Sequence, residues 1–185
     1  MKRQVRTTYL EMRSPGALRP SARVPPEVLL VRAAIPSPEL GRFLYTAVGG
    51  AWYWRDRLVW SYRQWRDWLA RPEVETWVAY ERGTPAGYFE LELQPEANLE
   101  ITYFGLLPEF AGRGLGGYLL TQATSRAWSV AGSEGRVWVH TCTLDHPGAL
   151  SNYLARGYSV FKEEEHTVEL PDAPPGPWPG AERPQ

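Results

Sequence analysis

The stretch of the chain best suited to bind an anion holds four glycines within six residues, namely Gly112, Gly114, Gly116 and Gly117. A β-branched and aromatic run at 98–107 precedes them and predicts a strand that Pro108 ends. Apolar residues at helical spacing follow, so the glycines lie between a strand and a helix N-terminus. Glycine backbone can approach a phosphate closely, and the free amides of a first helical turn point at it with the positive end of the helix dipole. The sequence therefore predicts a phosphate-binding turn.

The spacing of Gly112, Gly114 and Gly117 also fits the G-x-G-x-x-G pattern of dinucleotide-binding folds. In those folds the first glycine follows the strand almost directly, whereas residues 108–111 intervene here. Those folds also place an acid about twenty residues further on, where this chain has residues 140–142, His-Thr-Cys. No Gly-Lys-Ser/Thr follows the glycines either. Neither a dinucleotide-binding fold nor a kinase-type P-loop is favoured.

Hydrophobic periodicity places the glycine turn in a mixed sheet. The patterns predict strands at 28–31, 76–80, 88–93, 98–107, 137–142, 158–161 and 167–170, and helices at 38–48, 62–70, 114–130 and 147–156. The order strand, helix, strand around the glycines predicts a right-handed crossover and a parallel pair. We therefore expect an α/β (α+β) fold: a mixed, mostly antiparallel sheet with one central parallel strand pair, a hairpin at its end and helices on both faces.

Composition argues against several classes of protein. The formal net charge is −1, so no global charge attracts the 185-residue chain to nucleic acid or to an acidic membrane surface. No apolar run reaches membrane-spanning length, and no secretory signal is recognisable. Cys142 is the only cysteine, which excludes an intramolecular disulfide, and three scattered histidines predict no metal site. We expect a cytoplasmic monomer or homodimer that binds neither nucleic acid nor membrane.

The chain divides into three parts by composition. Residues 1–26 are rich in Lys, Arg and Pro and show little apolar periodicity, which predicts a flexible basic arm. The same composition also fits an organelle transit peptide. Residues 27–170 hold every predicted element and are expected to form one domain. Residues 171–185 are proline-rich and are expected to form a disordered tail.

Two motifs in this sequence resemble those of the GNAT superfamily of acyl-CoA-dependent N-acyltransferases. The pyrophosphate turn of that superfamily is Arg/Gln-x-x-Gly-x-Gly/Ala, and residues 111–116 read Ala-Gly-Arg-Gly-Leu-Gly. Its last core helix carries Tyr-x-x-x-Gly-Phe/Tyr, and residues 153–158 read Tyr-Leu-Ala-Arg-Gly-Tyr. Ala111 departs from the usual Arg or Gln, so one side-chain contribution to the phosphate site is missing, and Arg113 is the candidate to replace part of it. The resemblance covers residues 28–170.

The resemblance implies an N-acetyltransferase that transfers the acetyl group of acetyl-CoA, or another short acyl group, to a primary amine by direct attack. The pantetheine arm is expected along the strand edge where the two parallel strands splay, with a backbone amide near Leu106 as oxyanion donor. Tyr153 is the expected general acid for the departing thiolate. The implied cofactor-binding residues are Phe104, Gly105, Leu106, Leu107, Ala111, Gly112, Arg113, Gly114, Leu115, Gly116 and Gly117.

A base is needed because a free alkylammonium has a pKa of about 10 and cannot attack while charged. Glu100 begins a segment, 100–104, that is similar to the one in which the histone acetyltransferase branch carries its glutamate base. If the preceding turn is centred near Glu96, Glu92 pairs across from Glu100, and like charges directly opposite are destabilising unless a site uses them. Glu100 is therefore the predicted base. Glu90, Glu92 and water stay open as alternatives.

The acceptor amine is expected beside an aromatic segment. Five of the nine tryptophans fall within residues 52–68, in and around the connection between two predicted helices, which in the superfamily borders the acceptor site. Aromatic rings and carboxylates together suit a small-molecule or peptide amine, although packing in the core is the alternative reading for the rings. The predicted substrate-binding residues are Trp52, Tyr53, Trp54, Glu90, Glu92 and His140.

A function of another class is also compatible with the sequence. A sensor or interaction module that binds CoA or acyl-CoA without catalysis would keep the glycine turn and would not need Tyr153 or Glu100. Ala111 is compatible with that alternative. Direct transfer in the superfamily argues against Cys142 as an acyl-carrying nucleophile.

Overall fold

The computed structural model describes residues 1–25 and 27–181. Its strands are β1 (Lys2–Met12), β2 (Val28–Arg32), β3 (Val74–Glu81), β4 (Thr84–Gln94), β5 (Asn98–Leu106), β6 (Arg136–Cys142) and β7 (Ser159–Glu169). Its helices are α1 (Pro38–Gly49), α2 (Tyr62–Leu69), α3 (Leu115–Ala131) and α4 (Ala149–Ala155). All four predicted helices are present.

All seven strands form one sheet in the order β2-β3-β4-β5-β6-β1-β7. Neighbouring strands are antiparallel except β5 and β6, which run parallel and are joined through α3. The sheet is therefore mixed and mostly antiparallel with one central parallel pair. The predicted fold class is confirmed.

Helices cover both faces of the sheet. Successive strand residues point to opposite sides, so neighbouring apolar residues of one strand pack against different helices. On one face, Leu44 of α1 packs in a cluster with Tyr88 of β4. On the other face, Leu119 of α3 packs in the main core with Phe89, the next residue of β4. The strands that carry the site are thus held between two apolar layers.

The amino-terminal segment is a strand, so the predicted flexible arm at 1–26 is wrong for Lys2–Met12. β1 lies between β6 and β7 and pairs with both in antiparallel register. Its buried apolar residues are Val5, Leu10 and Met12, while Arg6 stays at the surface and pairs with Glu165 of β7 at 2.9 Å. The high content of Lys, Arg and Pro concealed a strand whose two partners come from the far end of the chain. Pro26 lies outside the described residues.

The end of the sheet also differs from the prediction. The two short strands predicted at 158–161 and 167–170 are one strand, β7, because β1 offers a partner along nearly its whole length, so no final hairpin forms. Residues 171–181 form no helix or strand, and the Gly176 N–H donates to the Gly50 carbonyl at 3.0 Å. Residues 182–185 of the predicted tail lie outside the described residues.

β5 and β6 separate along their length, and this separation opens a cleft. Their parallel register covers residues 98–100 of β5 and 136–138 of β6. Just beyond these residues the register of β5 with β4 shifts: Glu90 pairs with Tyr103 and Leu91 pairs with Ile101. Thr102 is therefore the extra residue of a β-bulge, which bends β5. Past the bulge, one edge of β5 faces the space between the two strands.

Candidate active site

A cavity of ≈ 900 Å³ occupies the space between the splayed strands. Ligand pockets in proteins measure roughly 300–1,000 Å³, so this one can hold a cofactor or a substrate of similar size. The predicted site residues that line it are Trp52, Tyr53, Trp54, Glu92, Glu100, Phe104, Gly105, Leu106, Ala111, Gly112, Gly114, Gly116, Gly117, His140 and Tyr153. Four predicted residues are not among its lining residues, namely Glu90, Leu107, Arg113 and Leu115.

The glycine turn forms one end of the cavity, which we call the glycine end. Gly112 and Gly114 have φ angles of 73° and 79°, in the left-handed region that favours glycine, and α3 begins directly after Gly114. Among the described residues no side chain caps α3, whereas serines cap α1 and α2. A Cβ at Gly116 would meet no atom closer than 3.7 Å. The first amides of α3 are therefore uncovered and available to an anion.

The guanidinium groups near the glycine end differ in their partners. Arg113 pairs with Glu81 at 2.6 Å and lies over the Phe110 ring, so it does not take the place of the side chain that Ala111 lacks. Arg156 has a buried Nε with no hydrogen-bond partner, and its Nη1 lies 2.5 Å from where a Cβ of Gly117 would be. A buried donor without a partner beside uncovered amides fits the diphosphate of an acyl-CoA.

The edge of β5 leads from the glycine end toward Glu100. The Leu107 N–H donates to the Ala86 carbonyl of β4 at 2.9 Å. Because successive amides of a strand alternate in direction, the Leu106 N–H points to the other side, into the cavity. This is where the sequence predicts an oxyanion donor. Glu100 is six residues away, roughly 20 Å along a strand, so it belongs to the other part of the cavity.

Tyr153 of α4 lines the cavity and is 5 % exposed. Its ring packs against Phe104 and Tyr158 at centroid distances of 6.1 and 6.0 Å. Burial, with a smaller effect of Asp145, raises the pKa of Tyr153 far above its ordinary value. No hydrogen bond from its hydroxyl is found within residues 1–25 and 27–181. The hydroxyl therefore stays protonated and is free to donate to a ligand.

Glu100 and His140 face each other across the splay. The Nδ1 of His140 lies 3.3 Å from Glu100 Oε1, and Gln94 Nε2 donates to Glu100 Oε2 at 2.8 Å. The hydrogen bond to Glu100 is the main cause that raises the pKa of His140 above its ordinary value of 6.5. The β4–β5 register pairs Glu92 with Glu100, as the position of the turn predicts. Glu92 also has a cation of its own, Arg71, at 2.6 Å.

Glu90 does not reach the cavity, contrary to the predicted substrate-binding role. It is 2 % exposed, and Arg57 binds both of its oxygens at 2.9 and 3.1 Å. Trp68 Nε1 and Thr102 Oγ1 each donate to its Oε1 at 3.0 Å. With four donors on one carboxylate, Glu90 fixes the cavity wall and has no oxygen available to a substrate.

Arg57 is the centre of an arrangement that the sequence did not predict. Its guanidinium lies 4.6 Å from the Trp60 ring, 4.5 Å from Trp68 and 4.4 Å from Tyr103. The tryptophan-rich segment was the available signal, but the Arg at its centre and the strand residues opposite could not be paired from the sequence. The rings and Glu90 together hold this cation in the wall of the cavity, which Arg57 itself lines.

Two cavity-lining carboxylates, Asp56 and Asp145, have no cationic partner in the part of the chain that the structure describes. Asp56 accepts hydrogen bonds from the hydroxyls of Tyr45, at 2.6 Å, and of Tyr103. Asp145 accepts from Trp54 Nε1 at 3.3 Å and from the Thr141 hydroxyl at 2.8 Å. Sequence reasoning missed both, and nothing near Asp145 signals its position. Their hydrogen-bond donors are neutral, so neither carboxylate is held in an ion pair within the described residues.

The aromatic connection between α1 and α2 lies where the sequence places it. Trp54 contacts the Tyr103 ring at 4.9 Å, Trp52 contacts His146 at 5.2 Å, and Tyr53 is a non-glycine residue with a φ of 63°. With Asp56, Asp145, Glu92, Glu100 and His140 these residues form what we call the aromatic end of the cavity. Apolar faces beside carboxylates suit an organic cation.

The described residues give little support to a thiol nucleophile, a metal centre or a membrane-spanning helix. Burial and Asp145 raise the pKa of the Cys142 thiol, which disfavours the reactive thiolate form. Within residues 1–25 and 27–181, no group of three or more His, Cys, Asp or Glu side chains is placed to hold a metal ion. Over the same residues, no helix has the length and apolar character to cross a membrane.

A family model described as the acetyltransferase (GNAT) family matches residues 41–158, which is more than half of the chain. This range includes the glycine turn and the Tyr153 helix. Comparison with curated proteins gives no match.

Several solved structures share the fold. A GCN5-related N-acetyltransferase from Kribbella flavida matches with a TM-score of 0.64 and 20% identity, over 95% of this chain and 60% of that one. A GCN5-related N-acetyltransferase from Sphaerobacter thermophilus matches with a TM-score of 0.63 and 19% identity, over 95% of this chain and 54% of that one. An aminoglycoside acetyltransferase from an uncultured soil metagenomic sample matches with a TM-score of 0.58 and 16% identity, over 72% of this chain and 90% of that one. The chain therefore spans only somewhat more than half of the two GCN5-related structures, and identities this low show the fold alone.

Proposed function

We propose that this chain, which belongs to the GNAT acetyltransferase family, transfers the acetyl group of acetyl-CoA to a primary amine of a cationic acceptor. One observation carries the proposal. A single cavity combines uncovered helix amides at its glycine end with uncompensated carboxylates and aromatic faces at its aromatic end. An acyl-CoA and an amine are the two ligands that match these opposite charges.

The glycine end and the open edge of β5 are proposed to hold the cofactor. The amides that follow Gly114 and the Arg156 guanidinium bind the diphosphate, and the edge at 104–106 binds the pantetheine arm. When bound, acetyl-CoA supplies the acyl group as a thioester. The Leu106 N–H, which points into the cavity, is the proposed donor to the thioester oxygen as negative charge develops on it.

The aromatic end is proposed to hold the acceptor. Asp56 and Asp145 attract a cation because no basic side chain neutralises them, and Trp54 lies against both the Asp145 carboxylate and the Tyr103 ring. The acceptor is a small-molecule or peptide amine, and a second positive group on it is favoured because two separate carboxylates are uncompensated. The aminoglycoside acetyltransferase among the similar structures is named for an acceptor of this charge class.

Two proton transfers are proposed for the chain's own residues. The Glu100–His140 pair accepts the proton of the amine, with Glu100 orienting the imidazole through the 3.3 Å contact. Glu92 lies opposite Glu100 but is neutralised by Arg71, so it is less suited to that role. Tyr153 donates its proton to the departing thiolate, since its hydroxyl is protonated and without a partner in the described structure.

Thiol release from acetyl-CoA, measured across a panel of amines, tests this proposal. The panel contains a diamine, a monoamine with the same carbon chain, a peptide with a free N-terminus and a neutral alcohol. We expect release with the amines, fastest with the diamine, and none with the alcohol. Tyr153→Phe is expected to slow this release, and Tyr118→Phe is its matched control, because Tyr118 does not line the cavity. Binding of CoA without release for any amine would instead support the non-catalytic CoA-binding module.

A further inference from the structure

The segment that joins β1 to β2 passes over the glycine end of the cavity. We call residues 13–25 the crossover segment. The Arg19 N–H donates to the Arg156 carbonyl at 2.9 Å, and the Ser21 N–H donates to the Thr121 hydroxyl of α3 at 2.9 Å. Two hydrogen bonds therefore fix the segment to the end of α4 and to the first turns of α3.

These anchors place Arg23 directly on the glycine turn. A Cβ built on Gly114 would lie 2.7 Å from Arg23 Cδ and 2.9 Å from its Nη1. The Arg23 side chain thus fills the space that any other residue at 114 would occupy. Gly114 itself lines the cavity and precedes the first amide of α3.

Arg23 has no ion pair or side-chain hydrogen bond within residues 1–25 and 27–181. Arg113, three residues before Gly116, is by contrast neutralised by Glu81 at 2.6 Å. At Gly117, the Arg156 guanidinium lies 2.5 Å from the Cβ position, and its buried Nε has no partner within the described residues. Two guanidinium groups without an anionic partner in the described structure therefore lie beside the first amides of α3, one near Gly114 and one near Gly117.

We propose that Arg23 of the crossover segment is a cofactor-binding residue that pairs with the diphosphate of CoA on the glycine turn. The proposal rests on the proposed function. Ala111 has no side chain that can reach an anion, and Arg113 is turned away, so Arg23 supplies the positive charge that the turn itself lacks. The fold thereby uses an amino-terminal segment to complete a site that the motif at 111–116 leaves incomplete.

The test is equilibrium binding of three ligands to Arg23→Ala and to the wild type. CoA carries the diphosphate and the 3′-phosphate, dephospho-CoA keeps only the diphosphate, and pantetheine has neither. Because charge-assisted hydrogen bonds are the strong ones, we expect Arg23→Ala to weaken CoA and dephospho-CoA alike, about tenfold or more, and to leave pantetheine unchanged. The loss is expected to shrink at high salt, and Arg23→Lys is expected to retain part of the affinity.

Arg13→Ala is the matched control, because Arg13 lies on the same segment, is exposed and pairs with Glu11 at 3.0 Å. It should leave all three affinities unchanged. Weakening of CoA alone would assign Arg23 to the 3′-phosphate and overturn the proposal, and so would equal weakening of pantetheine. Tighter binding by Arg23→Ala would show that Arg23 obstructs the turn. If the wild type binds CoA and Arg23→Ala binds equally well, this inference fails alone; if the wild type binds no CoA, the proposed function fails with it.

Discussion

The two ends of the cavity are built in opposite ways. The glycine end comes from one continuous stretch, 111–117, and offers backbone amides, with Arg23 and Arg156 added from outside it. The aromatic end is assembled from side chains of the α1–α2 connection, of β4, β5 and β6, and of the residues that follow β6. The glycine end therefore depends on backbone groups that side chains do not cover. The aromatic end depends on hydrogen bonds and ring contacts between side chains.

Charge distinguishes the two ends as well. Arg23 and Arg156 have no anionic partner in the described structure, whereas Arg57 at the aromatic end is held by Glu90 and three rings. The glycine end thus keeps positive charge for a ligand, and the aromatic end keeps the negative charge of Asp56 and Asp145. A cavity polarised in this way favours one ligand at each end.

Filling the glycine end should have the largest effect. Gly116→Trp is expected to abolish CoA binding, since an indole at this position occupies the space between Leu106 and Asn152. Gly116→Ala is the matched control: its Cβ would meet no atom closer than 3.7 Å, so it should fold and retain most of the affinity. Calorimetric titration measures both. Wild-type affinity in Gly116→Trp would exclude the turn as the cofactor site.

Breaking the buried pair should mainly affect stability. Glu90→Gln leaves the Arg57 charge buried without a carboxylate and is expected to lower the free energy of unfolding by about 3–5 kcal/mol. Asp67→Asn breaks exposed pairs with Arg66 and Arg63 and should leave the free energy of unfolding nearly unchanged, because exposed ion pairs contribute little. Urea denaturation compares the two. Similar small losses in both variants would mean that the Arg57–Glu90 pair does not fix the aromatic end.

Removing the proposed general acid should affect turnover and not cofactor binding. Tyr153→Phe is expected to lower kcat about 100-fold, the lower range for general acid catalysis, while the CoA dissociation constant stays nearly unchanged. The phenyl ring keeps the contacts with Phe104 and Tyr158, so the fold is preserved. Unchanged kcat in steady-state assays would remove the role from Tyr153.

The smallest effect is expected on pH dependence. Glu100 raises the pKa of His140, so kcat/KM should rise with pH as the imidazole loses its proton above pH 6.5. Glu100→Gln removes the main cause of the raised pKa and should move this acid limb to lower pH, while Asp145 and Asp56 keep part of the effect. Glu92→Gln should leave the position of the limb unchanged, because Glu92 pairs with Arg71. Loss of activity at every pH in Glu100→Gln would assign the proton transfer to Glu100 itself.

The conformation of the glycine end was largely predictable because it depends on local sequence. Four glycines between a strand and a helix predict a tight turn, and Gly112 and Gly114 have the positive φ angles that such a turn requires. The pairing of Glu92 with Glu100 was predictable for a similar reason, since a short turn fixes the register of a hairpin.

The aromatic end and β1 were not predictable in the same way, because both depend on contacts between distant segments. Glu90 and Glu92 share a strand face, yet Arg57 buries one of them and leaves the other at the cavity. The composition of Lys2–Met12 predicts a flexible arm, whereas in the structure β6 and β7 pair with it on both sides. The position of Arg23 was equally unpredictable, since only the course of the crossover segment brings it to Gly114.

The most direct test of the account is a titration of protein labelled with ¹⁵N at glycine, followed by NMR as CoA is added. We expect shifts for the amides of Gly112, Gly114, Gly116 and Gly117 at the glycine end, and also for Gly105 on the edge of β5, where the pantetheine arm is proposed to lie. We expect none for Gly83 and Gly132, which do not line the cavity. Saturable shifts of the four glycines of the turn, with Gly83 and Gly132 unmoved, would place the cofactor on the turn. CoA binding that leaves these four resonances unmoved would contradict the account.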